Sequence, residues 1–163
     1  MNEDLVKFAV AVRDSTIKRL SLVPVGAENW RVDPEAMSFS DTAQHLIDSD
    51  QWLYDPLNAR ASIQMLGRAG IANVTSRTHY NALLNKLNLS GDQRAVLVSS
   101  LSREALNETV DAPEIGGVVS TWWAIVRGNL DHEIHHRGQI AAYLRVLRAV
   151  QTSTTGYATG ADH

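Results

Sequence analysis

Four long stretches of this chain carry apolar residues at three- and four-residue spacing, and no stretch shows a convincing run of strand-like alternation. Such a chain must bury one stripe of each helix against its neighbours. The first stretch, residues 3–22, places Leu5, Phe8, Ala9, Val12, Thr16 and Leu20 on one face, and Pro24 and Gly26 end it. A loop over 23–39 carries Trp30 and Pro34. Ser40 or Ser38 then offers an N-cap, with Asp41 suited to the helix dipole. The second stretch, 41–58, has Thr42, His45, Leu46, Ser49, Trp52 and Leu53 inward, and Pro56 in its last turn.

The third stretch, 77–106, opens with Tyr80, Leu83, Leu84 and Leu87 and continues with Val96, Leu97 and Leu101. Ser90-Gly91-Asp92 between them reads as a kink or a split. Pro113, Gly116 and Gly117 mark a loop before the last stretch, 119–150. The expected fold is all-α: a four-helix bundle over residues 1–150, then a flexible tail over 151–163 rich in Thr, Gly and Ala. Residues 60–76 are a long connection, which permits a crossover between helices two and three.

The last helix contains His132-Glu133-Ile134-His135-His136. At about 100° per residue, His136 lies about 40° from His132, on the face of Trp122, Ile125, Asn129, Ile140, Tyr143 and Leu147. His135 falls about 60° to the other side, and Glu133 about 100° away at the margin of that face. His45 is central in the stripe of helix two. Three imidazoles from two helices are thus aimed at one interior. Buried polar nitrogens need partners, and protonated imidazoles would repel one another. A bound cation removes both difficulties.

The same five residues spell H-E-x-x-H, the zinc-protease string. That chemistry needs a third ligand further along. In the extended motif, Gln139 stands where glycine is required and Ala142 where histidine is required. Beyond His136 the chain holds only Asp162 and His163 as acidic or histidine candidates, both in the tail. The context argues against a peptidase.

Composition narrows the rest. A net charge of −3 and a pI near 6.0 do not suggest a nucleic-acid partner. No apolar run is long enough to span a bilayer, and the acidic start does not read as a signal peptide. The chain has no cysteine, so disulfides, thiolate ligands and a cysteine nucleophile are excluded, and the simplest location is the cytoplasm. Trp123 and Ile134 fall on the outer side of the last helix, where they pack under loops or form a homodimer contact.

Three segments resemble the DinB-like superfamily of metal-binding four-helix bundles. They are Ser40-Asp41-Thr42-Ala43-Gln44-His45-Leu46, the run from Asp131 through Arg137-Gly138-Gln139-Ile140, and Tyr143-Leu144-Arg145. The resemblance covers the chain to about residue 150. It implies that His45, His132 and His136 bind zinc, nickel or another divalent transition metal. It also implies an S-transferase or isomerase that uses a small thiol such as bacillithiol, mycothiol or glutathione. Three neutral ligands leave open coordination positions, as in catalytic sites. In that setting a metal activates the thiol toward a small electrophilic substrate. Glu133 is the expected acid/base helper. Gln139 is expected to orient a ligand; the Tyr143 phenol, one turn further on, either reaches the site or, the stronger reading, packs in the core. Arg60, Arg68 or Arg77 either meets a substrate carboxylate or, the stronger reading for any one of them, lies solvated on the surface. Two other classes stay open: a non-catalytic metal-binding stress-response protein, and hydrolysis of a small amide or ester by metal hydroxide.

Overall fold

The computed structural model describes residues 2–54 and 67–158. Four long helices form the body: α1 (Glu3–Leu20), α2 (Phe39–Tyr54), α3 (Arg77–Ser100) and, after several short elements, α6 (Asp131–Ala158). The short elements are α4 (Arg103–Asn107), β1 (Thr109–Ala112), β2 (Gly117–Ser120) and α5 (Thr121–Trp123). The fold is an all-α helical bundle with one small hairpin.

Local chemistry explains the helix starts. α1 has Glu3 and Asp4 in its first turn and Lys18 and Arg19 in its last, matching the helix dipole at both ends. At α2 the Ser38 hydroxyl accepts from the Asp41 amide at 3.0 Å, and the Asp41 carboxylate accepts from the Ser38 amide at 2.9 Å. This reciprocal pair is a capping box. Ser38 is therefore the cap, while the Ser40 hydroxyl donates to the Glu28 carbonyl. Ser76 caps α3 by accepting from the His79 amide.

Contacts along the helices set their directions. α1 meets α3 head to tail: Ala9 is beside Arg94, Arg13 beside Ser90, and Leu20 beside Tyr80. α2 runs alongside α3 in the same sense, since Asp41 meets Gly70 and Ala72 before α3 and Asp50 meets Arg94 near its end. α6 runs against α2, with His132 beside His45 and Asn129 beside Asp50. Parallel α2 and α3 accord with the expected crossover, of which residues 67–76 are described. At its far end that connection is pinned by Asp41, and by Asn29, which bonds both the amide and the carbonyl of Val74.

Among the described residues the interior has two main apolar clusters and a smaller one of Trp52, Ala112 and Ala124 under the hairpin. Of the two, one joins Leu20, Phe39, Leu46, Tyr80, Leu87, Ile140 and Leu147; the other joins Ala9, Val98, Leu106, Ile125 and Leu130. A polar layer separates them, and the candidate site belongs to it.

Several expectations are corrected. α3 runs unbroken through Ser90-Gly91-Asp92 and ends at Ser100, and α4 follows separately. Gly91 serves packing, because a Cβ there would meet Arg13 Cγ at 2.7 Å. The loop expected around Pro113 to Gly117 is the tip of an antiparallel hairpin pairing Thr109 with Ser120 and Ala112 with Gly117. Gly116 and Gly117 at φ of 123° and 89° make its turn. Between α5 and α6 the chain forms a π-helical segment, Ala124–Leu130. Each π residue turns through less than an α residue, so the phase slips across the segment. Trp122, expected on the buried face, is accordingly 44% exposed. The last helix runs beyond residue 150 to Ala158. The expected end of helix two at 55–58, Pro56, Arg60 and the last five residues lie outside the described residues.

Candidate metal centre

α2 and α6 cross so that His45, His132 and His136 converge. The Nε2 atoms of His45 and His132 are 3.1 Å apart, and those of His136 and His132 are 2.9 Å apart. The three rings meet edge to face at centroid distances of 4.5–4.9 Å. Among the described residues, this trio is the one group of histidine and carboxylate side chains gathered closely enough to hold a metal ion.

The rings are disposed to stay neutral. Burial lowers the His132 pKa to about 3, and the neighbouring His136 and His45 push it the same way. Burial lowers His136 to about 4, against the Gln139 hydrogen bond, which raises it. His45 is lowered by burial alone. Neutral imidazoles present lone pairs, and three lone pairs aimed at one point repel unless a cation lies between them. Tetrahedral zinc with Zn–N bonds near 2.0–2.1 Å would hold its nitrogens roughly 3.3 Å apart. The observed spacings are close to that, so the donor set fits a divalent transition metal.

The other ring nitrogens are held from behind. His136 Nδ1 lies 2.7 Å from Gln139 Oε1, and His132 Nδ1 lies 3.3 Å from Ser49 Oγ. Since Gln139 Oε1 can only accept, His136 must carry its proton on Nδ1, which leaves Nε2 free as a donor. Tyr143 packs edge-on against Trp30 and Phe39 at 6.2 and 6.4 Å, in keeping with the core-packing alternative. Ile134 is half-buried, and Trp123 is 43% exposed beside Trp122. Arg77 bonds the Val23 carbonyl and Glu28 and lies over the Tyr80 ring, so its charge is used within the fold. Arg68 is exposed.

Glu133 sits elsewhere than a helper at the rim would. It is 1% exposed, and both of its oxygens accept from arginine: Arg13 Nε at 2.9 Å and Nη2 at 3.0 Å, and Arg94 Nη1 at 2.7 Å. Burial pushes its pKa up, but the charges and hydrogen bonds of Arg13 and Arg94 outweigh this and hold it at about 2. Asp50 completes the cluster, accepting from Arg13 at 2.9 Å and from Arg94 at 3.0 Å. Two cations and two anions, one from each long helix, therefore balance in the polar layer. Asn129 joins this cluster to the metal centre. Its oxygen accepts from Arg94 at 2.8 Å, and its nitrogen donates to Asp50 at 3.1 Å and to the Ser49 carbonyl at 3.2 Å.

Sequence reading missed this cluster, although a signal was present. Arg13 shares the buried stripe of Ala9, Val12, Thr16 and Leu20, and Asp50 is four residues from Leu46. Charged residues on a buried stripe have to pair.

A helical bundle carrying three convergent histidines on two of its helices defines a metal-binding class of fold. Residues 9–140 match the DinB superfamily, and the chain belongs to it. The fold is similar to that of a crystal structure of an uncharacterized protein from Clostridium difficile 630. The two share 14% identity with a TM-score of 0.65, over 89% of this chain and 96% of the other. No curated protein matches the chain.

Proposed function

We propose that this chain is a divalent-metal-dependent enzyme that activates a low-molecular-weight thiol for transfer to a small electrophile, as an S-transferase or isomerase. The observation that carries the reading is the convergence of three neutral Nε2 donors, His45, His132 and His136, with no fourth protein ligand among the described residues. Zinc or nickel suits three imidazoles. When bound, such a metal supplies the Lewis acidity that keeps a thiol in its nucleophilic thiolate form. The chain has no cysteine, so the thiol comes from a small cosubstrate.

The chain's own residues then have distinct parts. His45, His132 and His136 hold the cation. Gln139 and Ser49 fix the direction of two of the rings. Glu133, saturated by arginine and held near pKa 2, is a poor base at neutral pH. We assign it the positioning of the helical turn that carries His132. Among the described residues no helix is long and apolar enough to cross a membrane.

The test is an assay of the metal-loaded, tag-free protein with a panel of thiols and a chloro-dinitro aromatic acceptor. Thiol-dependent, chelator-sensitive turnover that disappears in His132→Ala is expected. Turnover that persists in His132→Ala refutes the reading. Full metal loading with no turnover for any thiol favours the non-catalytic binder, and cleavage of small esters or amides without thiol favours the hydrolase.

A further inference from the structure

We propose that the cleft between α2, α3 and the end of their connection is a second binding site, which takes a small organic carboxylate with an apolar body. The cleft lies on the α3 side of α2, whereas His45 meets the histidines of α6. This site is separate from the metal centre and does not depend on it.

The cleft has a volume of about 250 Å³. Its wall on the connection is built before any ligand arrives. Asp41 accepts from the amides of Gly70 and Ala72, and Asn29 holds the side chain of Asn73 and both the amide and the carbonyl of Val74. Ile71, Val74 and Leu83 give the cleft an apolar lining. At roughly 30 Å³ per water, its volume is that of about eight waters, which suits a molecule the size of benzoate.

The polar groups of the lining are mostly donors. Its two ionisable side chains, His79 and Lys86, are both basic, although the chain as a whole carries a net charge of −3. Lys86 makes no ion pair among the described residues. His79 accepts the Thr75 amide at Nδ1, at 3.4 Å, so its ring proton sits on Nε2 and can donate. Asn73 takes a bond from Asn29 through its oxygen, at 3.1 Å, which leaves its NH2 group as a further donor. Gln44 donates to Asp48 at 2.8 Å and offers the cleft its oxygen. Three donors, one of them charged, against one acceptor call for an acceptor-rich anion. His79 and Lys86 stand about 10 Å apart along α3, with Leu83 between them. A carboxylate on Lys86 would therefore lay its apolar body across Leu83. An uncharged molecule leaves the ammonium unanswered, and an inorganic anion leaves the apolar lining in water.

The experiment titrates benzoate into the full chain as purified and follows backbone amides and histidine rings by NMR. Saturable shifts at Asn73, Val74 and the His79 ring are expected, with a Kd of about 1 mM, an ordinary ligand efficiency for so small a molecule. Benzyl alcohol and inorganic phosphate each carry one half of the chemistry and should bind about tenfold more weakly or worse. Lys86→Met should weaken benzoate about tenfold, the worth of a hydrogen bond to a charged group, and Lys86→Arg should restore it. Ala82→Met, which fills the cleft, should abolish binding. Methionine and arginine are good helix formers and both positions are exposed on α3, so folding is not at stake. No saturation by about 20 mM, equal affinity in Lys86→Met and the wild type, or phosphate or benzyl alcohol binding as tightly as benzoate overturns the proposal. Shifts confined to His45, His132 and His136 would place benzoate at the metal centre and overturn it too. A protein that takes up no metal but binds benzoate in the cleft would fail the metal-centre reading and support this one.

Discussion

Arg94→Met tests the polar layer most severely. Arg94 is fully buried and donates to Asp50 at 3.0 Å, Asn129 at 2.8 Å, Glu133 at 2.7 Å and the Ala9 carbonyl at 3.0 Å. Methionine keeps most of the volume and the helix propensity. What it removes is one of two cations, leaving Asp50 and Glu133 to share Arg13. Removing one partner of a buried ion pair costs about 3–5 kcal/mol. Part of this is offset, because Arg94 Nε is a buried donor with no partner among the described residues, and losing such a group gains about 1 kcal/mol. The net expectation is a loss of about 3 kcal/mol, a large share of the ~5–15 kcal/mol of an ordinary domain. For a chain of this size it lowers Tm by roughly 10 °C. Urea unfolding followed by circular dichroism measures it as a lower midpoint at unchanged slope. The double variant Arg94→Met/Glu133→Gln removes one charge of each sign and leaves Arg13 paired with Asp50. It should therefore recover about 1–3 kcal/mol relative to the sum of the single variants. A single-variant loss below about 1 kcal/mol, or strict additivity in the cycle, would refute the claim that the cluster is a balanced and dry ion network.

Two further outcomes follow from packing and charge. Asp41 accepts from the amides of Ser38, Gly70 and Ala72 and from Arg31 at 2.7–3.0 Å; burial raises its pKa, but the bonds from Ala72, Ser38 and Gly70 outweigh it and leave it lowered. A lowered folded pKa means stability present above the unfolded value of about 3.9 and lost as pH falls through the folded value. Asp41→Asn should therefore destabilise at pH 7 by about 3 kcal/mol and flatten the acid limb of stability against pH; an unchanged acid limb would falsify the assignment. Gly91→Ala should destabilise by about 1–2 kcal/mol although alanine favours helix, because its Cβ would meet Arg13 Cγ at 2.7 Å. A stabilised variant in thermal melts would show that Arg13 has room to move.

The helices and the histidine trio were legible because both depend on periodicity. His45, His132 and His136 lie on buried stripes that a constant turn per residue can locate. The π segment broke that assumption: nothing in Ala124–Leu130 signals a wider turn, so Trp122 was placed inward. The hairpin escaped because four-residue strands are too short for alternation to register, and its Gly116-Gly117 turn looks like any glycine loop. The offset of about 100° puts Glu133 at the margin of the histidine face, whereas the structure buries it to 1% exposure among arginines. Its partners Arg13 and Arg94 lie 120 and 39 residues away, and one-dimensional spacing does not show which charges meet in the interior.

The central claim is that three neutral imidazoles from α2 and α6 form a metal site. The most direct measurement is metal content of tag-free protein, followed by zinc titration calorimetry. About one equivalent per chain is expected, lost in His45→Ala and in His132→Ala. Uptake below about a tenth of an equivalent, or uptake unchanged by either substitution, would contradict it.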